Sequence, residues 1–147
     1  MREILFRAKR IGNGEWVEGY FIKDDITGQT FIHAQGNSVN ESQKIGEEGC
    51  LRFVAFEIDP ETLCQYTGLT DKNGKRIWEN DIVHRAYHSE DDCIIVWHDG
   101  GFHFKTIHGQ YNQDRMTLLR LCFTQKSVDR LGVIGNIFDN QELLKED

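Results

Sequence analysis

The side chains able to do chemistry are concentrated in one stretch, where His84, His88, Cys93, His98, His103 and His108 recur every four or five residues. Imidazole nitrogens and a thiolate are zinc ligands, and four of them converging make a structural zinc site. In an extended strand, however, His84 and His88 point the same way roughly 13 Å apart, too far to share one ion. His98 and His103 can face each other across Gly100-Gly101. Two imidazoles are half a site, so the expectation is a solvated cross-strand pair and no metal.

Nucleophilic catalysis needs a thiol or hydroxyl with a base and an orienting group beside it. Cys64 and Cys93 lie in apolar, strand-like surroundings, where a cysteine is a small inert hydrophobe. No elbow or glycine-rich helix start gathers a base around either one. The acid runs Glu90-Asp91-Asp92 and Asp24-Asp25 read as solvated loops. There is no GxxxxGK[ST] and no GxGxxG after a strand, so no phosphate cradle. The expectation is no catalytic residue and no cofactor. What remains is a candidate binding set: Tyr66, Lys75, Trp78, Asp81 and Tyr87. The aromatics could line a groove for a peptide, or they could fill the core and cover its ends. Lys75 closes the turn-forming run Asp71-Lys-Asn-Gly-Lys75, an exposed tip whose lysines Asp71 partly offsets. Asp81 stands where the chain turns into the strand at 82–87.

The elements that must position these groups are strands, because the apolar period is mostly two. In residues 3–10, Ile4, Phe6 and Ala8 share one face and Leu5, Arg7 and Lys9 the other. Asn13-Gly14 then signals a two-residue hairpin loop, which would set Lys9 against Glu18, Ala8 against Gly19 and Phe6 against Phe21. Asn73-Gly74 signals a second, with Asp71 against Arg76, Thr70 against Ile77 and Leu69 against Trp78. The third is at Asp99-Gly100-Gly101, between strands at 93–98 and 102–107. An even loop there puts Trp97 and Ile95 on the face of Phe102 and Phe104, and an odd one would set Trp97 against His103. Further strands are expected at 30–33, 51–58, 63–67, 82–87 and 131–138. Residues 36–49 read as a loop, 115–128 is ambiguous between strand and helix, and Asp139-Asn-Gln-Glu142 resembles a capping box opening a short helix.

Many short strands with regular turn signals indicate an all-β sandwich or small barrel. Closure is the expected answer to the sticky edges of such strands. The 147 residues allow a single domain, with a possible division into an N-terminal β region at 1–58 and a barrel at 59–147. Twenty-four acids against seventeen bases give a net charge of −7, which disfavours gripping a phosphate backbone over a large surface. The opening residues hold no apolar run long enough for a signal peptide, so none is expected, and no apolar run approaches the roughly 20 residues that span a bilayer. With four cysteines and no CxxC, the chain is expected to be cytoplasmic with free thiols and no membrane partner.

Three stretches together resemble the YopX-like family. They are Met1-Arg-Glu-Ile-Leu-Phe-Arg7 with Gly14-Glu-Trp-Val-Glu-Gly19; the centre, Asp59-Pro-Glu-Thr62, Gln65-Tyr-Thr-Gly-Leu-Thr-Asp-Lys-Asn-Gly-Lys75 and Asp81-Ile-Val83; and the end, Val133-Ile-Gly-Asn-Ile137 with Asn140-Gln-Glu-Leu143. The resemblance implies a phage or prophage origin and a mainly β fold with a small SH3-like barrel, and it implies no activity or catalytic residue. Asn80 stands where the family usually has glycine before Asp-Ile-Val. Asn tolerates the left-handed backbone, so the turn is expected to survive.

Three functions follow as expectations. The first is a non-catalytic β-barrel module binding a host or phage protein in the bacterial cytoplasm. The second is a nucleic-acid-associated barrel using a local patch of Arg2, Arg7, Lys9 and Arg10. The third is an enzyme whose site is assembled from residues distant in sequence.

Overall fold

A computed structural model describes residues 3–34, 54–85, 92–107, 128 and 130–145. They form two compact units, Met1–Gln65 and Tyr66–Asp147.

In the first unit, β1 (Phe6–Lys9), β2 (Trp16–Lys23), β3 (Thr30–Ala34) and β4 (Ala55–Glu57) form antiparallel neighbours in the order β4-β3-β2-β1. The β1–β2 hairpin exists, but its register differs from expectation: Lys9 faces Trp16, Ala8 faces Val17 and Phe6 faces Gly19. The loop is 11–14, closed by Arg10 N–H donating to the Glu15 carbonyl at 2.9 Å. The cause is local. The Asn13 side chain accepts from Glu15 N–H at 3.0 Å, which favours the longer turn over the two-residue one. A slip of two residues leaves each side chain on its face. Phe6 and Phe21 therefore still meet, now diagonally across Gly19, with ring centroids 5.8 Å apart. Gly19 has to be glycine, because a Cβ there would collide with the His33 backbone carbonyl.

Ala8, Val17, Ile32 and Ile58 form the buried centre of this unit, with Phe6, Phe21, Phe56 and Leu63 packed around it. After Ile58 the chain makes a 3-10 turn, Pro60–Thr62, in which the Asp59 carboxylate accepts from Glu61 N–H at 3.0 Å. The Thr62 hydroxyl accepts from Lys9 N–H at 2.8 Å and ties this turn to β1. β5 (Cys64–Thr70) then begins beside β1, with Cys64 opposite Arg7 and Gln65 opposite Phe6.

From Tyr66 onward β5 pairs with β6 (Arg76–Trp78). The second sheet has the order β10-β7-β8-β9, from β7 (Asp81–Arg85), β8 (Cys93–His98), β9 (Gly101–Thr106) and β10 (Leu131–Asn136). The β5–β6 connection corrects the expected two-residue loop. Asp71 N–H donates to the Lys75 carbonyl at 2.8 Å, so three residues, 72–74, make the turn. Gly74 closes it at φ +78°, the usual role of a left-handed glycine in three-residue hairpins. The odd loop places Arg76 opposite Thr70 rather than Asp71, and an irregularity around Gly68 (φ +86°) brings Tyr66 opposite Trp78.

The third hairpin is as expected. Asp99 and Gly100 form a two-residue loop with φ +48° and +75°, which sets Trp97 against Phe102 and Ile95 against Phe104. Both loop residues are left-handed, as a type I′ turn requires. Asn80 is left-handed as well, at φ +66°. The core of this unit is Ile77, Val83, Cys93, Ile95, Phe104, Val128 and Leu131.

At the C-terminal end a four-residue 3-10 helix, Gln141–Leu144, replaces the helix expected from Asp139. Its Asn140 cap is diverted, since the side-chain carbonyl accepts from Asn136 N–H at 3.2 Å and leaves the helix uncapped.

The described strands do not close a barrel. One sheet runs β4-β3-β2-β1-β5-β6 and ends on strands of three residues each, and the other has β10 and β9 as its end strands. The expected SH3-like barrel is corrected to two antiparallel sheets. Very short edge strands are another way to blunt an exposed edge, so the edge argument does not require closure. Among the described residues no helix is long and apolar enough to cross a membrane. The expected loop at 36–49, nearly all of 115–128, and Tyr87, His88 and His108 lie outside the described residues.

Candidate functional site

Four of the five candidate binding residues are described. Tyr66 and Trp78 face each other across β5 and β6, with ring centroids 5.3 Å apart, and are 8% and 2% exposed. The Arg76 guanidinium lies 5.3 Å from the Tyr66 ring. Asp81 is 2% exposed and accepts from the Trp78 N–H at 2.8 Å, which fixes the turn into β7. Lys75 is exposed at the hairpin tip. The set therefore divides into a buried cluster of Tyr66, Trp78 and Asp81 and a solvated lysine. The buried members leave a partner less than a tenth of their surface.

Asp71, at the head of the same hairpin, is a buried acceptor. One carboxylate oxygen accepts from Asn73 N–H (2.8 Å) and Lys75 N–H (2.9 Å), and the other accepts from Val133 N–H in β10 (3.0 Å). Burial pushes its pKa up, but the three N–H donors and the Lys75 charge together hold it below the ordinary carboxylate value. The Asp24 carboxyl is also held low, mainly by the Ile26 N–H at the exposed β2–β3 turn.

The described members of the histidine–cysteine run are not gathered. The thiols of Cys64 and Cys93 are buried and unbridged. The His98 and His103 rings lie 6.2 Å apart, and His103 Nε2 donates to the His98 carbonyl at 2.9 Å. Among the described residues no three potential metal ligands converge.

The surface that sequence reasoning missed is the side of the first sheet facing away from its apolar cluster. Direct cross-strand partners share a face, so Lys9 and Trp16, Arg7 and Glu18, Tyr20 and His33, and Ile22 and Phe31 are set side by side. Glu57 continues the row beside Phe31. Tyr20 and Ile22 are 48% and 49% exposed. Tyr20 stacks on His33 at 6.3 Å with planes 25° apart. The Arg7 and Lys9 cations lie 4.7 and 5.4 Å from the Trp16 ring centroid, at cation–π distance. The signal was present in β2, whose Trp16, Tyr20 and Ile22 alternate with the core-facing Val17 and Phe21, so that both faces are apolar. Such a face can hold a partner by burial of rings and aliphatic chains.

Fold and site together define a mainly β protein of two antiparallel sheets, one with an aromatic outer face. The YopX protein family model matches residues 5–145, and the chain belongs to that family. The chain is also similar to protein EF1440 from Enterococcus faecalis, whose crystal structure aligns with a TM-score of 0.55 at 28% identity, over 99% of this chain and 100% of that one. No curated protein matches it.

Proposed function

We propose that the chain is a non-catalytic interaction module, of phage or prophage origin and acting in the bacterial cytoplasm, that binds a protein through the outer face of β1–β4. One observation carries the reading. Around exposed Tyr20 and Ile22 lie Trp16, Phe31 and His33, while the charges on the face, Arg7 and Lys9 against Glu18 and Glu57, sum to zero. Aromatic residues and arginine with balanced charge suit the centre and rim of a protein interface. A phosphate backbone asks instead for a surplus of cations.

The test is affinity capture from infected or lysogenic cells, comparing the natural chain with the double variant Tyr20→Ser, Ile22→Ser. The reading expects a protein partner recovered by the first and lost with the second, at nearly equal melting temperatures. Recovery that disappears on nuclease treatment would move the assignment to nucleic acid.

A further inference from the structure

We propose that Lys72, His84 and Asp92, in the second unit, form a site for a phosphoryl group, with Lys72 supplying the charge and His84 Nε2 accepting a hydrogen bond from the ligand. His84 Nδ1 lies 2.7 Å from the Asp92 carboxylate. A carboxylate accepts, so Nδ1 carries the proton, and in the neutral ring Nε2 keeps its lone pair. His84 is half exposed, and Nε2 has no partner among the described residues.

Lys72 is brought to the same place by a separate device. Its N–H donates to the Leu131 carbonyl at 2.9 Å, and the neighbouring Asp71 carboxylate accepts from Val133 N–H at 3.0 Å, so the hairpin tip is anchored along β10. The Lys72 side chain then lies over Gly132, where a Cβ would stand 3.2 Å from Cε and 3.7 Å from Nζ. Gly132 is the direct cross-strand partner of His84. Paired residues have Cβ positions about 5 Å apart on one face, within reach of one phosphate with a hydrogen bond at each end. The Lys72 ammonium makes no ion pair or hydrogen bond among the described residues. Among the described residues neither the Lys72 ammonium nor His84 Nε2 has a partner, and the Gly132–His84 pairing sets both groups on one face of β10 and β7.

The proton decides the ligand class. A phosphate's second ionisation lies at about pH 6, so a monoanion that keeps one O–H is present near neutrality. That O–H can donate to the neutral Nε2 while another phosphate oxygen accepts from the Lys72 ammonium. Sulfate and phosphodiesters carry no O–H near neutrality, so they have nothing to donate to a neutral Nε2 and are held less well.

The experiment follows the His84 Cε1–H resonance by NMR at pH 7 and constant ionic strength. The probes are inorganic phosphate, phosphoserine, sulfate and dimethyl phosphate. The proposal expects a saturable shift with phosphate or phosphoserine, and whichever binds more tightly identifies the source as free phosphate or a phosphorylated side chain. Lys72→Met should weaken that binding about tenfold or more, the cost of one charge-assisted hydrogen bond, without moving the melting temperature. Asp92→Asn should weaken binding and alter the ring-nitrogen tautomer signal of His84. Absence of a saturable shift, an equal response to sulfate, or indifference to Lys72→Met would overturn it.

Discussion

Asp71 shows how one carboxylate can organise backbone that a sequence pattern leaves open. It bridges its own turn and β10, and it remains ionised because three N–H donors outweigh its burial. Its folded pKa lies below the unfolded value. The stability it contributes is therefore fully present above the unfolded carboxylate pKa of about 4, and is lost as pH falls through the lower folded value. Asp71→Asn should cost about 1–3 kcal/mol near neutrality, since an amide nitrogen would meet an N–H. That deficit should shrink as urea midpoints are compared from about pH 5 downward, and a deficit constant with pH would refute the account. Trp78 makes a second residue-scale case. Truncating a large side chain with 2% exposure should cost roughly 3–5 kcal/mol as Trp78→Ala. An unchanged melt for that variant would show the ring to be dispensable for folding and restore it as a binding candidate.

At the scale of elements, strand positions were legible and turn lengths were less so. The 93–98 strand was readable as an apolar run ending at a turn signal, and the Asp99-Gly100 turn from hydrophobic matching, because one slip there would set His103 in place of Phe102. The first two hairpins defeated the same logic for a physical reason. Asn13 and Asp71 accept backbone N–H groups through their side chains, and such local bonds compete with the two-residue turn that Asn-Gly alone would favour. The aromatic outer face was missed because attention to the core selects one face of β2 and discards the other. Glycine substitutions test the turn assignments. Gly74 has open space around it but sits at φ +78°, so Gly74→Val should cost about 1–2 kcal/mol by backbone strain while Gly74→Asn is nearly neutral. Gly19 is the opposite case, with ordinary φ and no space against the His33 carbonyl. Gly19→Ala should therefore cost about 1–3 kcal/mol by forcing β2 from β3. Thermal melts that rank Gly74→Asn below Gly19→Ala would contradict both arguments.

For the molecule as a whole, sequence reasoning held that unpaired strand edges demand a closed barrel, and the strands answer that demand differently. β4 and β6 are three residues long, and the β10 edge is met by the hairpin tip through Asp71 and Lys72. Nothing in composition distinguishes closure from a shortened or covered edge, since all serve the same end. Charge is the global property that composition does determine, and it weighs on the choice between a polyanion and a protein partner. Seven more acids than bases repel a phosphate backbone at long range. At about 0.15 M salt the Debye length is about 8 Å, so only a dense local cluster of cations could reverse that. The outer face of β1–β4 places Arg7 and Lys9 among Glu18 and Glu57, and Lys72 is a single charge suited to one phosphate rather than to a chain of them. The protein should therefore pass through a heparin column at about physiological ionic strength. Retention that weakens steeply with added salt would mark a cation cluster and favour a nucleic-acid partner over the protein interface proposed for this face.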